Sequence, residues 1–200
     1  MTSHPVIYLT GAPATGKSTL ARNMLAKVPE LLVFAYSEEL RKFVKKKNGQ
    51  QLTEDKIREL SAVVITAEDV AELDRELVRL VAEQRHARPI LVDSHPVTKE
   101  SYGFRVTSFD VETLRALNPD VIVCLYTASD VSVQRITANP MGRPLISNFE
   151  ASMHTHLQTS VAAQYGVLMG KPIYFVNSHC SPDELVTILL QKAKLAARNG

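Results

Sequence analysis

The chain has 200 residues, of which 45% are hydrophobic and 22% charged, a balance typical of a globular protein that builds one core. Its formal net charge of +2 is too small to favour nucleic acid as the main partner, and its two cysteines do not suggest a disulfide framework or a zinc site. The first residues do not match a signal peptide, and no apolar run approaches the roughly 18 residues of a membrane helix. We therefore expect a cytoplasmic protein that binds neither nucleic acid nor membrane.

A short strand at residues 6–10 opens the predicted fold and leads into a glycine-rich loop. The run Val-Ile-Tyr-Leu-Thr is rich in apolar, β-branched and aromatic residues, which predicts a buried strand. Residues 11–19 read Gly-Ala-Pro-Ala-Thr-Gly-Lys-Ser-Thr and fit G-x-x-x-x-G-K-[ST], the pattern of the phosphate-binding P-loop. The alternative is a chance match, and the strand before the motif and the helical pattern after it argue against chance.

Each residue type in this loop suits the binding of phosphate. Gly11 and Gly16 let the backbone turn tightly and approach an anion, because neither has a Cβ. The N–H groups of the loop and of the next helix then point at phosphate oxygens. Lys17 brings a mobile positive charge to the outer phosphates, and Ser18 can bind Mg²⁺ through its hydroxyl. The predicted ATP-binding residues are therefore Gly11, Ala12, Pro13, Ala14, Thr15, Gly16, Lys17, Ser18 and Thr19.

Strands and helices alternate along the rest of the chain. Apolar runs predict strands at 31–35, 89–93, 121–126 and 171–177, and helical patterns cover 18–27, 38–47, 54–60, 66–85, 110–117, a segment from 129 or 130 onward, 148–168 and 182–197. Ser37 is predicted to cap the helix that follows it. The polar and aromatic stretch 94–109 is predicted to be a long loop, and a loop of that length in a compact domain is usually functional.

The alternation predicts an α/β fold, a three-layer sandwich of the P-loop NTPase type. All five strands are continuous apolar runs, as expected for a parallel sheet with helices on both faces. Three helices between the second and third strands predict a helical insertion at about 37–86. Such an insertion could bind a second substrate, the acceptor to which the phosphate of ATP is transferred. A Pro- and Gly-rich break at about 138–147 predicts a short lid. We expect residues 1–200 to form a single kinase domain made of this core, insertion and lid.

Ligands of parallel sheets bind at the carboxyl ends of the strands, where several polar residues of this sequence gather. Asp93 ends the third strand as a Walker B-like acid that would hold Mg²⁺ through water, although an aspartate there can also simply cap a loop. Arg135 and Arg143 flank the lid and suit the charge of a moving phosphoryl group, whereas each alone can be a surface ion pair. His95 either contacts the acceptor or is a polar loop residue.

The sequence resembles the archaeal-type adenylate kinases, a branch of the P-loop nucleoside monophosphate kinases. The resemblance covers most of the chain and is strongest in the P-loop and in segments 91–95 (Leu-Val-Asp-Ser-His), 117–123 (Leu-Asn-Pro-Asp-Val-Ile-Val) and 162–170 (Ala-Ala-Gln-Tyr-Gly-Val-Leu-Met-Gly). Residues 34–37 (Phe-Ala-Tyr-Ser) and 58–60 (Arg-Glu-Leu) match the acceptor-binding segments more weakly. The resemblance implies transfer of the γ-phosphate of Mg-ATP to an AMP-like nucleoside monophosphate, giving two diphosphates.

The same resemblance implies roles for individual residues. Arg58 would bind the acceptor phosphate, and Ser37 would line the acceptor pocket. Arg135 and Arg143 would close over the triphosphate, and Asn177 would lie near the donor base. ATP and Mg²⁺ are the implied cofactors, small-molecule nucleotides are the implied substrates, and homo-oligomers, often trimers, are the implied assembly.

Two departures from the family pattern keep other functions open. The family carries an arginine roughly where this chain has Thr159 and Ser160, and the Gly-Arg-Pro turn of the lid has fewer charges than the family's. Both changes remove positive charge from the place where the transferred phosphate should lie. A different acceptor, slower chemistry or a lost activity would each follow from that. The alternatives are therefore a P-loop kinase for a nucleoside, a sugar or a shikimate-like acid, and a regulatory module that hydrolyses ATP slowly.

Overall fold

A computed structural model describes residues 3–48, 65–139 and 145–196 of the protein. In chain order these residues form β1 (Val6–Gly11), α1 (Lys17–Lys27), β2 (Leu32–Ala35), α2 (Tyr36–Asn48), α3 (Ala67–Gln84), β3 (Ile90–Asp93), β4 (Val97–Glu100), β5 (Gly103–Val106), α4 (Val111–Leu117), β6 (Val121–Tyr126), α5 (Ser129–Ala138), α6 (Asn148–Met169), β7 (Ile173–Asn177) and α7 (Pro182–Ala193). Every strand and helix predicted within the described residues is present, with ends that differ by a few residues. The predicted helix at 54–60 lies outside them.

The main sheet has five parallel strands in the order β2-β3-β1-β6-β7, with the P-loop strand β1 at its centre. Val6 of β1 pairs with Ile90 of β3, and Ile7 pairs with Val121 of β6. The carboxyl ends of β3 and β6 therefore lie on either side of the start of the P-loop. This order confirms the predicted parallel α/β sheet, and it makes the P-loop the middle of any site built along that edge.

Helices cover both faces of the sheet, and alternate side chains of each strand enter two separate cores. One core joins β1 to α1 and α7, and the other joins β1 to α3, α4 and α6. Burying a large aliphatic side chain stabilises the fold by roughly 1.5–3 kcal/mol, so the two cores hold the three layers together. The fully buried side chains in these cores include Ile7, Leu9, Leu20, Met24, Leu73, Leu77, Ile122 and Leu189.

The predicted loop at 94–109 contains a β-hairpin, so that prediction was wrong in part. Strands β4 and β5 pair antiparallel, with Val97 opposite Val106. Their sequence is mostly polar and half exposed, so it lacks the apolar run by which the other strands were predicted. The hairpin packs on α6, where Lys99 pairs with Glu150 over 3.2 Å and the ring of His154 meets the Phe104 ring edge-on.

The helical insertion between β2 and β3 is represented by α2 and α3. Helix α2 begins at Tyr36, because β2 passes into it without a loop residue, so Ser37 lies in its first turn and not at the predicted capping position. The Tyr36 hydroxyl donates to Asp74 of α3 over 2.7 Å, and Lys47 pairs with Asp69 over 2.5 Å. These two contacts tie α2 to α3 near both ends of α2.

Parts of the predicted division of the chain lie outside the described residues. They are residues 49–64 of the insertion at about 37–86 and residues 140–144 of the lid at about 138–147. The division of residues 1–200 into core, insertion and lid therefore stays a prediction. Among the helices of the described ranges, not one is both long enough and apolar enough to span a bilayer.

Protonation of His154 is expected to weaken the fold below neutral pH. The ring Nε2 of this buried residue donates to the Val97 carbonyl over 3.0 Å, and burial lowers the pKa of His154 from 6.5 to about 4. Between these two pH values His154 is protonated in the unfolded chain and neutral in the folded chain. The stability of the fold therefore falls as the pH falls. From pH 7 to pH 5 the loss is about 2 kcal/mol from this group.

Urea unfolding at pH 7 and pH 5 checks this expectation. A His154→Gln variant should lose less stability on acidification than the wild type, by that same amount. His156→Gln, on the exposed side of the same helix, should behave like the wild type. Equal losses in the wild type and the His154 variant would show that folding does not lower the pKa of His154, because the folded and unfolded chains would then take up the same proton.

Candidate active site

Glycine is required where β1 passes into the P-loop. Gly11 has a φ of 150°, and a Cβ at this residue would lie 2.5 Å from the Leu125 carbonyl oxygen of β6. Gly16 has a φ of 89° and directly precedes α1. The Thr15 hydroxyl is buried and donates to the Ala12 carbonyl over 2.8 Å, which closes the loop on itself. The two glycines and this internal hydrogen bond thus define how the loop turns into the start of α1.

The amino terminus of α1 is built to attract an anion. No side chain of the described residues caps this helix end, and its first turn contains no acidic residue. Ser18 and Thr19, in that first turn, are exposed. The first N–H groups of a helix lack partners within the helix and carry its positive dipole end, so they bind phosphate well.

Two cations contact the carbonyl groups of the P-loop. The Lys17 ammonium donates to the Gly11 carbonyl over 2.6 Å and to the Ala12 carbonyl over 3.3 Å. Arg135 reaches the loop from α5, and its Nη1 donates to the Ala14 carbonyl over 3.0 Å. Two positive charges that come from different helices therefore lie beside the place where phosphate groups would bind.

Asp93 lies at the carboxyl end of β3, next to β1. Its Oδ1 is buried and has no hydrogen-bond partner among the residues that the structure describes. Burial raises the pKa of the Asp93 carboxyl, while the charge of Lys17 lowers it and the charge of Glu38 raises it. A buried carboxylate oxygen without a partner is costly to keep, so its retention beside Lys17 points to a ligand rather than to structural support.

The remaining predicted residues lie at the same edge of the sheet or outside the described ranges. Ser37 is exposed in the first turn of α2, and His95 is exposed between β3 and β4. Asn177 ends β7 at the far edge of the sheet, where its Oδ1 accepts a backbone N–H two residues along the chain, at 3.0 Å. Arg58 and Arg143 lie outside the described residues. No group of acidic, histidine or cysteine side chains in the described ranges has the arrangement of a metal cluster.

Sequence reasoning missed two side chains near the P-loop. Gln158 of α6 donates its amide N–H to the Thr10 hydroxyl oxygen over 2.6 Å, and both residues are fully buried. Glu38 lies in the first turn of α2, and its charge acts on Asp93. The helical periodicity of the sequence could have identified Gln158 as buried, because it shares the buried face of α6 with Tyr165 and five other residues. Glu38 carries no such signal.

Comparison with known proteins gives a family and a fold. A family model described as AAA domain matches residues 10–148. An adenylate kinase of Pyrococcus abyssi is 24% identical over 196 residues, which cover 96% of this chain and 97% of that protein. The tunicamycin resistance protein of Deinococcus radiodurans has a TM-score of 0.61 at 14% identity and covers 98% of this chain and 99% of that chain. The shikimate kinase of Aquifex aeolicus has a TM-score of 0.55 at 16% identity, over 94% and 96% of the two chains.

These similarities agree on the P-loop kinase fold and differ in the molecules named. At such low identities the solved structures show the fold alone, and the adenylate kinase relative supports the resemblance to P-loop kinases without naming the acceptor of this chain. The family match is broader evidence, because it covers more than half of the chain and includes the P-loop, β3 and α5. The chain therefore belongs to the AAA domain family and has the fold of the P-loop kinases.

Proposed function

We propose that the protein is an ATP-dependent phosphotransferase that moves the γ-phosphoryl group of Mg-ATP to a nucleoside monophosphate, with AMP as the first acceptor to test. The observation that carries the proposal is the convergence of Lys17, Arg135 and Asp93 around the P-loop. An adenylate kinase that matches over 96% of this chain supports the choice of acceptor.

The residues present fit a magnesium ion bound together with ATP. The Ser18 hydroxyl is exposed at the start of α1, and Asp93 keeps a buried carboxylate oxygen without a hydrogen-bond partner among the described residues. Oxygen donors of this kind suit Mg²⁺, which keeps several of its waters when it binds. When bound, the ion would neutralise charge on the phosphates, with Ser18 as a direct ligand and Asp93 as a partner of its water.

The chain's own cations would position the phosphates and neutralise their remaining charge. Lys17 and Arg135 now donate to carbonyl oxygens of the P-loop, and with ATP bound they would donate to phosphate oxygens instead. An oxygen of the acceptor phosphate would then attack the γ-phosphorus, and the bond from that phosphorus to the bridging oxygen would break, releasing ADP. Phosphoryl transfer depends mainly on such positioning and on neutralising the moving charge, so these residues need no further catalytic base.

The test is an acceptor screen with purified protein. Mg-ATP would be mixed with nucleoside monophosphates, nucleosides and small hydroxylated metabolites, and ADP formation would be followed, with Lys17→Met as the blank. Stimulation by a monophosphate that is lost in the variant supports the proposal. Stimulation by a neutral acceptor would replace it with another small-molecule kinase, and ADP formation that no acceptor stimulates would indicate a regulatory ATPase.

The assembly and location of the protein are also proposals. The resemblance to archaeal-type adenylate kinases leads us to propose a homo-oligomer, in the first place a trimer, in the cytoplasm. Light scattering coupled to gel filtration measures the mass directly, and a mass equal to one 22.1 kDa chain would contradict the oligomer.

One observation favours a second candidate, a kinase for a neutral hydroxylated acceptor. Ala35 of β2 pairs with Asp93 of β3, and Glu38 follows in the first turn of α2, so a second carboxylate lies at the acceptor end of the sheet. Its charge is close enough to raise the pKa of Asp93. A negative charge there repels an acceptor phosphate, whereas a carboxylate accepts hydrogen bonds from acceptor hydroxyls.

Replacing Glu38 by glutamine separates the two candidates. If the acceptor carries a phosphate, Glu38→Gln should lower its KM by roughly two- to fivefold, because an exposed like charge is removed. If the acceptor is held through hydroxyl groups, the KM should rise instead. Glu39→Gln is the matched control, because this neighbour pairs with Lys42 over 2.6 Å and should leave the acceptor KM unchanged.

A further inference from the structure

Gln158 is a buried polar side chain that the proposed phosphate chemistry does not use. It lies in the middle of α6 with no measurable exposure, and its amide nitrogen donates to the Thr10 hydroxyl oxygen over 2.6 Å. Its amide oxygen is also buried and has no hydrogen-bond partner among the described residues. The position lies on the inward stripe of α6 between Ala151 and Ala162, where an apolar side chain would fill the space without burying an unpaired amide oxygen.

The partner of Gln158 lies at a sensitive point of the fold. Thr10 is fully buried and is the last residue with a side chain before Gly11 starts the P-loop. It is flanked by β6, where it pairs with Cys124, and by the end of β3, where the Ser94 amide donates to the Leu9 carbonyl over 3.0 Å. Backbone pairing thus holds the end of β1 from both sides. Gln158 of α6 adds a third contact, made to the side chain of Thr10.

A short chain of contacts leads from Gln158 to the cation of the site. Gln158 holds the Thr10 side chain, Thr10 is bonded to Gly11, and the Gly11 carbonyl accepts from the Lys17 ammonium over 2.6 Å. Gly11 has a φ that side-chain-bearing residues rarely adopt, so the peptide group between Thr10 and Gly11 needs a defined orientation. A shift of Thr10 would displace Gly11, and with it both the first P-loop N–H group and the carbonyl that accepts from Lys17.

We propose that Gln158 is a positioning residue that fixes the conformation of the P-loop through Thr10. The expected consequence is specific to nucleotide binding and transfer, because the contact is made at the entrance to the loop. The effect on the transfer rate rests on the proposed function, whereas the effect on ATP affinity does not. Polar residues that are kept at a cost to stability are commonly found where function needs a defined geometry.

Paired substitutions test the proposal. Gln158→Leu and Thr10→Val each leave a polar atom buried without its partner, so each should lower the melting temperature as well as the affinity for ATP. The double variant replaces both polar groups by apolar ones of similar shape, so most of the lost stability should return. We expect the double variant still to bind ATP about tenfold more weakly than the wild type, measured by titration calorimetry with Mg-ATP, and to transfer phosphate about tenfold more slowly.

Two further variants are matched controls. Thr10→Ser keeps the hydroxyl and should retain ATP affinity within about twofold of the wild type. Gln164→Leu changes an exposed glutamine of the same helix and should change neither affinity nor rate. The proposal is overturned if the double variant recovers wild-type ATP affinity together with its stability, or if Thr10→Ser binds ATP as weakly as Thr10→Val.

The affinity measurements separate this proposal from the proposed function. If the wild type transfers phosphate to no acceptor, the kinase proposal fails while the ATP affinities of the variants still test Gln158. If the wild type is an active kinase and the double variant binds ATP normally, only the role of Gln158 is lost.

Discussion

Replacing Lys17 by methionine is expected to lower the rate of phosphoryl transfer by at least about 100-fold, while the melting temperature changes little. The ammonium is the one side-chain cation of α1 that bonds to the P-loop in the described residues, at 2.6 Å from the Gly11 carbonyl oxygen. In a site that excludes water, one oriented cation on the transferred phosphate is worth several kcal/mol of transition-state stabilisation, about the size of this loss. Methionine keeps the apolar stem of the side chain, so the fold loses only the contacts of the charge.

The Lys17 substitution should also change the pH dependence of any remaining activity. The charge of Lys17 opposes the rise that burial causes in the pKa of Asp93, so its removal should raise that pKa further. The residual rate should therefore need a higher pH to reach its plateau. Lys27→Met, in the exposed last turn of the same helix, is the control and should keep full activity. A Lys17→Met protein that kept more than a tenth of the rate would contradict a role in transfer.

Much of the fold could be predicted because the central strands are nearly pure apolar runs. Val6–Gly11 and Val121–Tyr126 are buried almost throughout, which is the condition under which a continuous apolar run identifies a strand of a covered parallel sheet. The P-loop could be predicted for a different reason, because its glycine positions are fixed by backbone geometry. At Gly11 a Cβ would meet the Leu125 carbonyl, so the spacing of the motif reflects a steric limit.

The rest depends on contacts between residues that are distant in sequence. The hairpin β4–β5 has mostly polar strands and gains its place by packing on α6 through His154 and Lys99. The bond between Thr10 and Gln158 joins residues 148 positions apart, and only the folded chain brings them together. The charge of Glu38 acts on Asp93 because β2 passes directly into α2. The sequence instead predicted that Ser37 caps the start of this helix. The site was thus predictable where one motif supplies it and unpredictable where several segments meet.

Replacing Asp93 by asparagine is expected to make the protein more stable and less active at the same time. Burial raises the pKa of the Asp93 carboxyl above its ordinary value of 3.8, so keeping it ionised at neutral pH costs folding free energy. The folded chain therefore binds a proton on Asp93 more tightly than the unfolded chain does. By linkage, stability falls as the pH rises from 3.8 through the raised pKa of the folded chain. Asparagine carries no charge to desolvate, so the Asp93→Asn variant should have a higher melting temperature than the wild type at pH 7.

The activity of Asp93→Asn should fall by roughly 10- to 100-fold, the usual cost of losing a group that orients the waters of a bound metal. The rate of the wild type should decline on acidification as Asp93 takes up a proton, and this limb of the pH profile should be absent in the variant. Asp120→Asn provides the opposite pattern, because Asp120 accepts the Val6 amide over 2.8 Å at the other end of β1. It should lower stability and leave the rate per folded molecule unchanged.

The combination of effects decides the role of Asp93, since a carboxylate that merely caps a loop stabilises the fold. Its replacement would then lower the melting temperature and spare the rate, as expected for Asp120. A gain in stability with a loss of rate has one physical source here, a charge kept in a poorly solvated place because a ligand uses it. Measuring both quantities on one preparation therefore tests whether the carboxyl end of β3 is part of the active site.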